Sequence, residues 1–92
     1  MIRNIRHRGL RRLYKQKDAS RLNPEHVSRL RSILTLLDAA VRAEDLNYPG
    51  SDFHPLRGNR KGFYAVRVSG NWRVIFRFVA GDAFDVDYID YH

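Results

Sequence analysis

Three adjacent side chains at the end of this 92-residue sequence have the widest chemical range in it. Asp90, Tyr91 and His92 are an acid, a phenol and an imidazole, groups that move protons, orient a partner or stack on a planar ring. Chain termini ordinarily fray and carry little, whereas here a strand-like run from Phe84 to Ile89 delivers all three. A second imidazole, His54, stands just before Pro55-Leu56. Two histidines offer what general acid–base catalysis requires, one group to take a proton and one to give it. His92 suits the base role, because its own α-carboxylate lies beside the ring and, with Asp90 nearby, favours and orients the protonatable form. His54 then serves as the acid or as an anion contact, and the reverse assignment stays open.

Cations for an anionic substrate are plentiful. Arg57 to Gly62 is a basic turn bounded by two glycines, which lets backbone and the charges of Arg57 and Lys61 come close to a phosphate. Arg67, Arg73 and Arg77 alternate with apolar residues, so they share one face of the strands they lie in. Asp85 and Asp87 share it too, and cross-strand ion pairing is the plainer use of such a set. Guanidinium forks are nevertheless well matched to phosphates. The chain holds 17 Lys and Arg against 10 Asp and Glu, a formal charge of +7. In the first quarter Arg3, Arg6, Arg8, Arg11, Arg12, Lys15, Lys17 and Arg21 face only Asp18. Such clustering favours a polyanion, nucleic acid or an acidic protein that mimics it.

With no cysteine, disulfides, thiolate metal ligands and cysteine nucleophiles are excluded. A His54, His92 and Asp90 metal site has no recognised ligand spacing behind it, so neither metal nor cofactor is expected. The N-terminus lacks the apolar segment of a signal peptide and nothing approaches the roughly 18 apolar residues of a membrane span. A cytoplasmic protein with no membrane partner is expected, built as one domain over residues 1–92.

The elements that position these groups are well punctuated. Ile2 to His7 reads as a short edge strand, ended by Gly9. Leu10, Leu13 and Tyr14 recur at helical spacing, with Arg11, Arg12 and Lys15 on the opposite side. Asn23-Pro24-Glu25 starts a second helix with a capping amide, a proline in the first turn and an acid at the positive end of the dipole. Val27, Leu30, Leu34, Leu37 and Val41, flanked by Ile33, Leu36 and Ala40, form its apolar stripe. Glu44 to Asp52 is a loop. Three strands follow, turning at Ser69-Gly70-Asn71 and Gly81-Asp82. Tyr64, Val66 and Val68, then Trp72, Val74, Phe76 and Phe78, then Phe84, Val86 and Tyr88 face the helices. The expected fold is α+β, an antiparallel β-sheet packed against two helices in the order β-α-α-β-β-β.

Three stretches are similar to those of a known family. They are His54-Pro55-Leu56-Arg57-Gly58-Asn59-Arg60-Lys61-Gly62-Phe63-Tyr64, Val66 to Phe78 around Gly70-Asn71-Trp72-Arg73, and Asp85-Val86-Asp87-Tyr88-Ile89-Asp90-Tyr91-His92. Together they closely resemble the HigB toxins of the RelE-like superfamily of type II toxin–antitoxin systems. The resemblance runs the length of the chain and is most specific over residues 54–92. It implies a RelE-like fold and an endoribonuclease that cuts messenger RNA in the ribosomal A site. It also implies a HigA-type antitoxin with a helix-turn-helix as silencing partner, and operator DNA reached only through that antitoxin. The family's site residues fall on His54, Asp90, Tyr91 and His92, with Arg73 after the tryptophan. Arg57 stands where such toxins often carry lysine, which leaves it a charge role rather than proton transfer.

Metal-independent RNA cleavage needs a base for the ribose 2′-OH, cations for the phosphate and an acid for the 5′ oxygen. The two histidines, with Arg57, Lys61, Arg67, Arg73 and Arg77, supply that set, and Tyr91 can hydrogen-bond a phosphate or stack on a splayed base. The competing reading is a non-catalytic basic module that grips RNA or the antitoxin as a co-repressor subunit.

Overall fold

Apolar side chains that recur every third or fourth residue early in the chain, and every second residue later, build two helices and a sheet. The computed structural model describes residues 1–91. Helix α1 spans Arg8–Gln16 and α2 Val27–Ala39, and the strands are β1 His54–Pro55, β2 Phe63–Ser69, β3 Trp72–Val79 and β4 Asp82–Asp90. The sheet is antiparallel throughout, in the order β1-β2-β3-β4.

The helices cover one face. Leu10 and Leu13 of α1 and Leu30, Ile33, Leu34 and Leu37 of α2 pack with Val66, Val68, Val74, Phe76, Val86 and Tyr88 of the sheet in the main core. Inside it, Tyr88 stacks on Trp72 with centroids 4.7 Å apart. The Tyr88 hydroxyl hydrogen-bonds Nδ1 of the buried His26, so a histidine with no part in the expected chemistry is a satisfied core residue.

Several expectations are corrected by local chemistry. Gly9 lies inside α1 rather than ahead of it, and a Cβ there would come within 3.1 Å of Arg21 Cβ and of His7 Cε1. The helix is instead started by His7, whose Nδ1 accepts the Leu10 N–H at 3.1 Å. Asn23 caps as expected, its side-chain oxygen accepting from the Glu25 N–H, but the first turn is 3₁₀ and α2 proper begins at Val27. Leu36 is 41% exposed, and Val41, beyond the end of α2, is 71% exposed, so the buried stripe is narrower than expected. At the start of the expected loop, and beginning one residue before it, Ala43–Leu46 form a 3₁₀ turn that anchors it through the fully buried Leu46.

The sharpest departure is in β4. Asp85 has a left-handed backbone, φ +53°, and the register with β3 slips between Ile75 and Arg77. One extra residue reverses the alternation, so Ala83 rather than Phe84 enters the main core with Val86 and Tyr88. The same bulge explains the N-terminal segment. Ile2 and Ile5 make isolated parallel bridges to Ala83 and Val86 in place of a continuous edge strand. Between them Asn4 satisfies the bulge, accepting from the Asp85 N–H at 2.9 Å and donating to its carboxylate at 3.0 Å.

Candidate active site

The face of the sheet away from the helices carries its own small apolar floor. Leu56, Ala65 and Ile75 are buried there, with Phe63, Ile89 and Tyr91 packed around them. Strand register places the polar groups on that floor. His54 pairs with Ala65, Ala65 with Ile75 and Ile75 with Asp87, forming one row across four strands. The neighbouring row runs Arg67, Arg73, Ile89, and the row on the other side runs Phe63, Arg77, Phe84. Because partners in adjacent strands share a face, His54 shares a face with Arg67, Arg73 and Arg77 although it is at least 13 positions from each of them in sequence.

His54 is oriented by backbone. Its Nδ1 lies 2.7 Å from the Asp52 carbonyl oxygen, and a carbonyl only accepts, so Nδ1 carries a hydrogen. In the neutral ring the lone pair therefore sits on Nε2, the nitrogen turned away from this contact. Asp52 itself has a left-handed backbone, φ +50°, a conformation that aspartate adopts more readily than most residues. Behind it, Ser51 continues the pairing with β2 by accepting the Arg67 N–H at 2.7 Å.

The cations divide into exposed and engaged. Arg57, Lys61 and Arg67 are exposed. The first two ride on a loop closed by the Leu56 N–H bond to the Phe63 carbonyl at 2.8 Å, with a 3₁₀ turn at Gly58–Arg60. Gly58 and Gly62 both take positive φ in this loop, at +65° and +96°. Arg77 pairs with Asp85 at 3.0 Å, a carboxylate that also meets Arg6 at 3.5 Å. The Asp85 pKa is held below the usual carboxylate range, first by the Asn4 hydrogen bond and then by Arg77. Arg73 is drawn inward, its side chain only 13% exposed. Its Nη1 donates to the carbonyls of Gly70 (2.7 Å) and Trp72 (3.1 Å), and Nη2 lies 3.7 Å from Asp52.

The C-terminal triplet is split by alternation. Asp90 pairs with Trp72, on the helix-facing parity, and is exposed. Tyr91 joins Ile89 at the apolar floor, its N–H donating to the Asn71 carbonyl at 2.8 Å. His92 lies outside the described residues. The Arg60 guanidinium sits 5.9 Å from the centre of the Tyr91 ring, a cation–π distance. The structure thus brings together His54, Tyr91, Arg67 and the loop of Arg57 and Lys61, and adds Arg60 and Asp52. No spacing rule pointed to those two, since Arg60 meets a ring 31 positions away and Asp52 acts partly through its backbone. Among the described residues, no group of three His, Asp or Glu side chains is placed to hold a metal ion. No helix among them is long and apolar enough to cross a membrane.

The pattern described for RelE-like toxins of type II toxin–antitoxin systems of the HigB kind matches residues 3–92. The chain belongs to this HigB-like toxin family. An endoribonuclease HigB of Proteus vulgaris is 36% identical over 92 residues, covering the whole of both chains. A toxin HigB-1 of Vibrio cholerae is 35% identical over 94 residues, covering all of this chain and 98% of that one. A crystal structure of a YafQ mutant from E. coli superposes with a TM-score of 0.52 at 20% identity, over 92% of this chain and 88% of the other. At that identity the likeness speaks for the fold alone. In this HigB-like toxin His54 and Arg67 lie on the sheet face that the helices leave open.

Proposed function

We propose that this HigB-like toxin is a metal-independent endoribonuclease that cuts mRNA in the ribosomal A site in the cytoplasm, and that a HigA-type antitoxin silences it. The observation that carries the nuclease reading is His54. Its Nδ1–H is fixed on a backbone carbonyl, and its Nε2 is left to exchange a proton on a face that holds Arg67, beside the loop that carries the exposed Arg57 and Lys61. The name of the Proteus relative, an endoribonuclease, supports the same chemistry.

In the proposed reaction a base removes the ribose 2′-OH proton and the 2′ oxygen bonds to the adjacent phosphorus. The bond from phosphorus to the 5′ oxygen breaks, and an acid protonates that oxygen. The products are a 2′,3′-cyclic phosphate and a 5′-hydroxyl end. His54 takes one proton-transfer role and His92 the other. Arg67, Arg57 and Lys61 neutralise the charge that builds on the phosphate, and Tyr91 offers its ring or hydroxyl at the rim. Phe63, Ile89 and Tyr91, half-buried around the covered floor of Leu56, Ala65 and Ile75, offer an apolar rim against which a splayed base can lie.

Primer extension on a reporter mRNA, incubated with the protein with and without translating ribosomes, tests this reading. Codon-phased cuts only with ribosomes are expected. Cuts on naked RNA would remove the ribosome from the proposal. No cuts in either reaction would replace the nuclease by a binding module that acts with an antitoxin.

A further inference from the structure

Asp52 is joined to the site through both its side chain and its backbone. Its carboxylate meets Arg73, and Arg73 is itself tied to the turn between β2 and β3 through the Gly70 and Trp72 carbonyls. Its backbone, in the left-handed region, presents the carbonyl that takes the His54 Nδ1–H. The Asp52 side chain is 61% exposed, so the ion pair alone adds little to stability. Its geometric effect is larger: it fastens an exposed loop residue to a guanidinium that is mostly buried and has three protein contacts.

We propose that Asp52 is a positioning residue for His54, and that the Arg73–Asp52 contact holds the backbone carbonyl that keeps the His54 proton on Nδ1 and the lone pair on Nε2. Arg73 then serves the reaction from beneath the site, as the fixed post of this clamp. Without the clamp the loop relaxes from its left-handed turn, the carbonyl swings off the ring, and His54 reverts to the Nε2–H form that an unconstrained neutral imidazole prefers. That form offers no lone pair on Nε2. The lone pair stays on Nε2 whatever His54 acts upon, but its consequence for rate rests on the nuclease reading.

The test is heteronuclear NMR of ¹⁵N-histidine-labelled protein above the pH at which the imidazoles are neutral, with His54 assigned by a His54→Gln spectrum. The wild type is expected to show the lone-pair shift at Nε2 of His54, and Asp52→Ala to move it to Nδ1. Cleavage should fall about tenfold in Asp52→Ala, a part of the roughly 10²- to 10⁴-fold that a positioned proton-transfer group supplies. Asp52→Asn, which tolerates the left-handed turn and keeps an acceptor oxygen toward Arg73 while giving up the charge of the 3.7 Å ion pair, should hold the wild-type tautomer and cleave within about twofold of wild type. Thermal melting checks that the variants are folded. An Nε2–H tautomer in the wild type, an unchanged tautomer in Asp52→Ala, or full cleavage activity despite a switched tautomer would each overturn the proposal. Undiminished cleavage by His54→Gln would instead defeat the nuclease reading and leave the tautomer result standing.

Discussion

Tyr88 and His26 satisfy each other inside the main core, and that makes Tyr88→Phe informative. The substitution removes one oxygen and leaves His26 Nδ1 buried without its partner, at a cost of about 1–3 kcal/mol. Urea denaturation should show that loss, and His26→Leu combined with Tyr88→Phe should recover much of it, since the pair interacts directly. A neutral Tyr88→Phe would show that the hydrogen bond contributes nothing net. At the site, His54→Ala should lower cleavage by roughly 10²- to 10⁴-fold with little change in melting temperature, because the ring lies at the open face rather than in the core. Residue types single out His54, Tyr91 and the basic turn in the sequence, but each alone is more cheaply read as structural, and it is the family resemblance that gives them roles. The status of Arg73 was not readable. Composition cannot distinguish a guanidinium that faces solvent from one folded back onto Gly70 and Trp72 carbonyls, since only the tight turn beneath it decides.

The bulge at Asp85 joins β4 to the N-terminal segment, so its chemistry belongs to both elements. Asp85 is acidified by Asn4 first and Arg77 second. Asp82 is acidified by Arg3 and then the N-terminal ammonium, and Asp38 by the Ile2 N–H and then Tyr14. A carboxyl whose folded pKa lies below its unfolded value contributes stability that is fully present above the unfolded pKa and is lost as pH falls through the folded one. All three groups pin the first residues against β4 or α2. Their contribution should therefore be intact at pH 5 and above, and fall away below about pH 4. Asn4→Ala should flatten this acid dependence and cost about 1 kcal/mol at neutral pH, measured as urea midpoints across the acid range. An unchanged acid slope would show that Asn4 does not set the Asp85 pKa. Both helices and the three long strands were legible because periodicity is local, whereas the expected first strand is reduced to two isolated bridges. The β4 parity was not, because the residue that satisfies the bulge is 81 positions away. Neither was the two-residue β1, which pairs with β2 through His54 and Pro55.

Over the whole molecule, the basic charge stands on two sides. Arg57, Lys61 and Arg67 are exposed around the open sheet face, while Arg8, Arg11 and Lys15 are exposed on α1, which packs against the other face. RNA affinity should fall steeply with salt, with a logarithmic slope that loses about 0.7 for each phosphate-contacting cation removed from a single strand's path. With the exposed α1 cations Arg8, Arg11 and Lys15 replaced by glutamine, Arg67→Ala should reduce the slope by about that amount, and an unaltered slope would place Arg67 off the RNA path. The α1 cluster has a practical corollary. A gel shift reports any polyanion held anywhere on the surface, so variants with a ruined sheet face would still retard RNA through α1 and score as competent. Retention on a phosphate resin would mislead in the same way during purification. Binding assays become informative about the reaction centre only after the opposite side has been neutralised, for example by Arg8→Gln, Arg11→Gln and Lys15→Gln together.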